Sequence, residues 1–279
     1  MSETSSTLNR RARTPVFILL LVVALTIAYP VVFMAVSALR THDDYLKDPF
    51  GFPKALTFDN FIVLANNYGV GRAAGNSLIV VAIALLITLA VATLAAFALA
   101  KFPIPGIKYI NASFVSVMLI PSQVLIIPIY LLLSKLQLIG EFGGLILVYV
   151  ATGLPFSVFF LTLSFKAIPD PVLEAARLDG AGFWRTLRSI VVPMGGAGIA
   201  TLAVLQFLAM WNELLFAYIL LPDDTKMLLT PALTQISGKL STDQPLMSAG
   251  LLITALPPML LLAFASKYVM RGLAVGVTR

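Results

Sequence analysis

Six stretches of this chain, 16–38, 77–100, 109–133, 142–165, 195–221 and 248–266, are apolar for long enough to cross a bilayer. A hydrocarbon layer of roughly 30 Å needs about 20 helical residues at 1.5 Å each. Five of the six carry no charged residue, and the fifth carries one, Glu213. Backbone in lipid must satisfy its own hydrogen bonds, so only helices and closed barrels can span. Barrel strands would show about ten residues of strict alternation, whereas these blocks are apolar all round and rich in Leu, Ala, Val and Ile. The expected fold class is therefore all-α: a polytopic membrane protein with six transmembrane helices, forming one domain over 16–279 behind a short tail, 1–15.

Composition agrees, since 59% of the 279 residues are hydrophobic and 11% are charged, far below a soluble domain. With no cysteine there is no disulfide framework, thiolate metal site or thiol nucleophile. The net charge of +6 reads as lysine and arginine held on a cytoplasmic face, which leaves no ground for a nucleic-acid partner. Residues 16–38 exceed the apolar core of about 7 to 15 residues in a cleaved signal, so Arg10, Arg11 and Arg13 precede an uncleaved first span. With the N-terminus inside, 12 of the 19 basic residues fall on the cytoplasmic side and 7 outside. That bias orients both termini toward the cytoplasm.

Of the inner loops, 101–108 is a turn built on Pro103, Pro105 and Gly106, but 166–194 is long and patterned. Asp170 followed by Pro171 reads as an N-cap and first helical residue, and Gly180 or Gly182 as the left-handed residue ending a short helix. A second helix follows, with Phe183, Trp184, Leu187, Ile190 and Val191 set beside Arg185 and Arg188. A nine-residue helix is marginal alone in water, so it needs burial against something. Two readings stay open on these grounds: an amphipathic loop lying at the headgroups, or a docking helix for a cytoplasmic partner.

The residues Glu174-Ala175-Ala176, Gly180 four positions on, and the exit Ile190-Val191-Val192-Pro193 resemble the EAA motif of ABC importer permeases. Further pieces resemble the maltose-type carbohydrate branch: Asn60-Phe61, Gly75-Asn76-Ser77-Leu78, Ala96 to Lys101, Pro121, Trp211-Asn212-Glu213 and Lys267 to Leu273. Phe97 stands where tyrosine is common and Lys101 where arginine is common. The resemblance covers about residue 15 to 279 and implies a type I importer permease in a bacterial inner membrane. It implies that Glu174, Ala175, Ala176, Asp179 and Gly180 belong to a coupling helix for an ATPase subunit. It implies as partners a second permease, two cytoplasmic ATPases carrying ATP and Mg²⁺, and an extracytoplasmic solute-binding protein, with no cofactor on this chain. A sugar, oligosaccharide or polyol is the implied cargo.

No Walker A sequence occurs, so ATP is expected on another polypeptide. The single histidine, His42, reads as a solvated loop residue. Glu213 with Asn212, and with them Asn76, are candidates for the translocation path or its gate, since an ionisable group at membrane depth is functional by default. The alternatives are a structural polar tie, or a stand-alone secondary transporter relaying protons through Glu213. Pro121, Pro128, Pro155, Pro257 and Pro258 fall inside the spans as kinks or hinges, and Gly195, Gly196 and Gly198 as close-packing or flexible positions.

Overall fold

The computed structural model describes residues 4–239 and 243–274. The side chains of Arg10, Arg11, Arg13 and of the run Lys267 to Leu273 lie outside the described residues, as does Arg279. The described regular structure is helical: α1 Thr4–Ala38, α2 His42–Lys47, α3 Asp59–Asn67, α4 Val70–Lys101, α5 Ile107–Met118, α6 Ile126–Lys135, α7 Phe142–Lys166, α8 Asp170–Leu178, α9 Phe183–Thr186, α10 Val192–Met194, α11 Gly196–Trp211, α12 Leu215–Leu220, α13 Leu229–Lys239 and α14 Gln244–Ala274. Four helical segments are long and apolar enough to cross a membrane singly: Pro15–Ala38, Val70–Lys101, Phe142–Lys166 and Gln244–Ser266. The count rises to six if each of two bent pairs is one span, Ile107–Met118 with Ser122–Lys135 at 86°, and Phe183–Met194 with Gly196–Trp211 at 75°.

The first bend departs from the straight span expected over 109–133, whereas the second falls at the expected boundary between the inner loop 166–194 and the span 195–221. Pro121 explains the first: it adopts an extended backbone (ψ 125°) and starts a short 3₁₀ turn, Ser122–Leu125, before α6. Pro155, Pro257 and Pro258 lie within helices that continue through them. In the second pair a π turn, Leu187–Val191, precedes Pro193, and the chain bends at Gly195. An extra residue per turn is tolerated there because a proline two residues on offers no N–H. The expected block 195–221 also ends early, since α11 stops at Trp211 and α12 restarts at Leu215.

Contacts divide the chain into two compact units, one of residues up to 69 with 235–253, the other of 70–234 with the remainder from 254. In the first unit, α1 exposes its side chains from Pro15 to Pro30. The following loop is organised by Arg40, which is 1% exposed. Its guanidinium donates to Asp44 Oδ2 at 2.9 Å and to the carbonyls of Asp44, Asp48 and Gly51 at 2.8, 2.7 and 2.9 Å. His42 is half-exposed, and its Nδ1 is covered 3.4 Å from Asp243 Oδ1, so it is less solvated than a free loop residue.

The second unit is built on α4 and α7, which share its most extensive helix contact. On α4 the buried face carries small residues one or two turns apart, Ala73, Ser77, Ala84, Thr88, Ala92 and Ala96, with Val80 and Val81 between them. In lipid there is no hydrophobic gain from helix pairing, so close backbone approach and dispersion drive it. Against the end of α7, Gly195 and Gly198 leave no room for a Cβ, which would collide with Phe165 and Ser164, whereas Gly196 faces open space. Two of the three glycines thus serve close packing. Between helices, Gln206 Nε2 of α11 donates to Ser157 Oγ at 2.7 Å and to the Gly153 carbonyl at 3.0 Å.

Candidate functional site

The patterned loop forms α8 with a defined stop. Gly180 has φ +74°. Its N–H donates to the Arg177 carbonyl at 3.0 Å, and the Ala181 N–H donates to the Ala176 carbonyl at 2.9 Å. This pair of bonds is a Schellman closure, which needs a left-handed residue at that position. The start differs from the expected cap. Pro169, not Asp170, precedes the helix, and the Val172 N–H is taken by the Pro169 carbonyl. Asp170 turns instead to Lys101 Nζ at 2.7 Å, because a buried ammonium attracts the carboxylate more strongly than a neutral amide does.

The two faces of α8 have different surroundings. Leu173 and Ala176 are buried. Leu173 joins a core with Phe97 and Leu99 of α4, Phe165 of α7, and Leu187 and Val191 of the π turn. Phe183 packs on Phe97 and Phe102 at centroid distances of 5.0 and 5.9 Å. Glu174, Ala175, Leu178, Asp179 and Gly180 are exposed. Leu178 is 90% exposed, an apolar side chain with little cover from the described residues. Burial of one face thus supplies what so short a helix lacks alone, and leaves the other open to a partner.

A cavity of about 600 Å³ lies between the break after Pro121 and the gap between α11 and α12. Ser122 and Gln123 reach it from the turn after Pro121, Tyr149 and Thr152 from α7, Gln206 from α11, and Asn212 and Glu213 from the gap before α12. Broken helices are tolerated in a membrane protein where the freed backbone is re-satisfied or lines a cavity. Glu213 does the re-satisfying. Its Oε1 accepts the Phe216 N–H at 2.9 Å, and its Oε2 accepts the Ala217 N–H at 3.0 Å and the Tyr149 hydroxyl at 3.2 Å.

Residues 92–275 match the family model described as binding-protein-dependent transport system inner membrane component. The chain belongs to this family. It is a permease of the ABC importers and a multi-pass inner-membrane protein. Among its relatives is the diacetylchitobiose uptake system permease protein NgcG of Streptomyces coelicolor, 28% identical over 100% of this chain and 93% of that one. The alpha-glucoside transport system permease protein AglG of Rhizobium meliloti is 31% identical over 80% of this chain and 60% of its own. A chain of the bacterial ABC transporter that imports the acidic polysaccharide alginate shares the fold, with a TM-score of 0.81 at 20% identity over 96% of this chain and 98% of that one.

Within the permease, the candidate path residues part company. Asn212 and Glu213 line the cavity, Asn212 also donating to the Leu208 carbonyl at 2.8 Å. Asn76 is elsewhere: its amide donates to the Thr225 and Met227 carbonyls at 3.1 Å, while Ser77 Oγ accepts the Leu229 N–H at 2.8 Å. These bonds tie the start of α4 to the loop before α13, where the Thr225 amide and hydroxyl hold the Asp223 carboxyl below the usual carboxylate range. Tyr149, Thr152 and Ser122 are cavity residues that sequence reading passes over. The Thr152 hydroxyl one turn before Pro155, and the polar Ser122 next to Pro121, are weak signals, and Tyr149 carries none.

The carboxylate geometry carries a test. Glu213→Ala leaves two amides at the start of α12 without an acceptor, at about 1–3 kcal/mol. Glu213→Gln keeps one acceptor oxygen, and Tyr149→Phe removes a single bond of about 1 kcal/mol. The thermal stability of the purified permease should therefore fall in the order Ala, then Gln, then Phe at 149. A Glu213→Ala protein as stable as the parent would remove the capping role.

Proposed function

We propose that this permease pairs with a second permease and two cytoplasmic ATPases, and passes to the cytoplasm a neutral oligosaccharide or polyol delivered by an extracytoplasmic binding protein. The observation that carries the reading is α8, with one face set in the helix core and the other presenting Glu174, Ala175 and Leu178 uncovered. A helix so placed can receive a push from an ATPase subunit and pass it to the spans, which then exchange outward-open and inward-open states. Both termini are cytoplasmic in this reading, on the same side as α8.

The carbohydrate cargo is supported by the names of NgcG and AglG and by the chemistry around the cavity. Amides and hydroxyls of Gln123, Thr152 and Asn212 suit neutral hydroxyl-rich solutes, and Phe156 offers an apolar wall. Glu213 is already engaged by three donors, which leaves a proton relay without a free carboxylate.

The deciding experiment is reconstitution of the four-subunit complex in proteoliposomes, with a sugar chosen by its thermal shift of the binding protein. Uptake should require ATP and the binding protein, and should persist when the pH gradient is collapsed. Uptake by this chain alone, driven by an imposed proton gradient, would overturn the proposal.

A further inference from the structure

Lys101 is the last residue of α4, and only 5% of its side chain is exposed. Its ammonium donates to the Ile168 carbonyl at 2.6 Å and to Asp170 Oδ1 at 2.7 Å. Both acceptors lie at the entry to α8, one in the turn after α7 and the other on the first helical residue. A buried ammonium is costly unless paired, so although the Asp170 side chain is 74% exposed, the need lies with Lys101, and its two bonds hold both acceptors to it. The gripped segment is stiff as well, because Pro169 and Pro171 fix the backbone on either side of Asp170. The other end of α8 is the opposite case: Leu178 is 90% exposed, and a Cβ at Gly180 would meet nothing within 4 Å.

We infer that Lys101 is a positioning residue that clamps the entry of α8 to the end of α4, so that displacement of the free end of α8 moves α4 instead of being absorbed in the α7–α8 turn. The inference rests on the docking role proposed for α8. Leu173 supplies an apolar contact to the same core, but apolar contacts slide, whereas two charge-assisted bonds fix both distance and direction. Lys101 touches neither solute nor ATPase in this arrangement. Its effect is on how much transport each hydrolysed ATP yields.

The test measures solute transported per ATP hydrolysed, normalised to assembled four-subunit complex in proteoliposomes. Lys101→Met should lower this ratio at least about fivefold, within the range of ordinary coupling free energies. Asp170→Asn, which leaves the Ile168 bond, should lower it about two- to threefold, and Lys101→Arg should stay within about twofold of the parent. A purely structural role would reduce the amount of complex and leave the ratio per complex unchanged. A parental ratio in Lys101→Met beside loss of solute stimulation in Glu174→Arg would overturn the clamp and spare the docking role. Parental behaviour of both would overturn the docking role, and the clamp with it. Should Lys101→Met fail to assemble, a parental ratio in Asp170→Asn overturns the clamp by itself.

Discussion

Gly180→Leu should leave the permease inserted in the membrane yet cut solute-stimulated ATP hydrolysis by the assembled importer about tenfold or more. No neighbour obstructs a side chain there, since a Cβ on Gly180 would meet nothing within 4 Å. The obstacle is the backbone. At φ +74° an L side chain is strained, typically by about 1–2 kcal/mol, and β-branched or bulky residues fare worst. Relief comes by opening the Gly180 and Ala181 bonds that close α8, which would carry Asp179 and Leu178 away from the face offered to the partner. Because 1.4 kcal/mol is a factor of ten in binding, the strain alone accounts for the expected loss. Gly180→Asn should retain most of the stimulation, as asparagine tolerates the left-handed region. Solute-stimulated hydrolysis at the parental level in Gly180→Leu would show that the shape of this helix end is not what the ATPase engages.

That closure is among the features legible in the amino-acid sequence, because a left-handed glycine after a short helix is a local requirement that the residue type announces. The apolar blocks were legible for the same reason: the bilayer imposes one length and one polarity, and Pro15–Ala38, Val70–Lys101, Phe142–Lys166 and Gln244–Ser266 meet both. Breaks inside a block are harder to see. Hydropathy is blind to direction, so an 86° bend at Pro121 and the interruption between Trp211 and Leu215 leave the apolar average intact, while Pro155 and Pro257 sit in helices that do not break. Whether a proline breaks a helix depends on whether neighbouring groups re-satisfy the freed carbonyl, which is a tertiary matter.

Partner choice was the least legible feature. Glu213 and Asp170 are both acidic residues beside a helix start, yet Glu213 caps α12 and Asp170 answers a lysine 69 positions away. Local capping rules favour Asp170 for the cap. They lose to a buried ammonium whose nearest available counter-charge is that carboxylate. Asn76 shows the same limit, since its position at the opening of a span suggests a gate, whereas its amide is committed to two carbonyls of a distant loop.

The largest loss of stability should follow replacement of Arg40, which is 1% exposed. Arg40→Met would leave the carbonyls of Asp44, Asp48 and Gly51 and the Asp44 carboxylate facing a side chain that cannot donate. A hydrogen bond from a charged donor contributes about 1.5–3 kcal/mol, and the three carbonyls lose theirs together. The loss should be local, because the acceptors all lie between 44 and 51. Amide exchange in a peptide covering 41–58 should then accelerate at least about a hundredfold, while peptides from α4 and α7 keep parental rates. Arg40→Lys should recover little, since an ammonium cannot serve acceptors spread around a planar fork. Acid should act on the same loop with a defined sign. Burial pushes the Asp44 carboxyl up, but the Arg40 bond and the Lys54 amide more than offset it and hold it below its ordinary value. A depressed folded-state value adds stability above the unfolded one and loses it as pH falls through the folded one. Protection of 41–58, corrected for intrinsic exchange, should thus be flat from neutral pH to about 5 and drop only below about pH 4. In Arg40→Met that acid step should shrink, and an undiminished step would mean that the Lys54 amide, not Arg40, holds the Asp44 carboxylate.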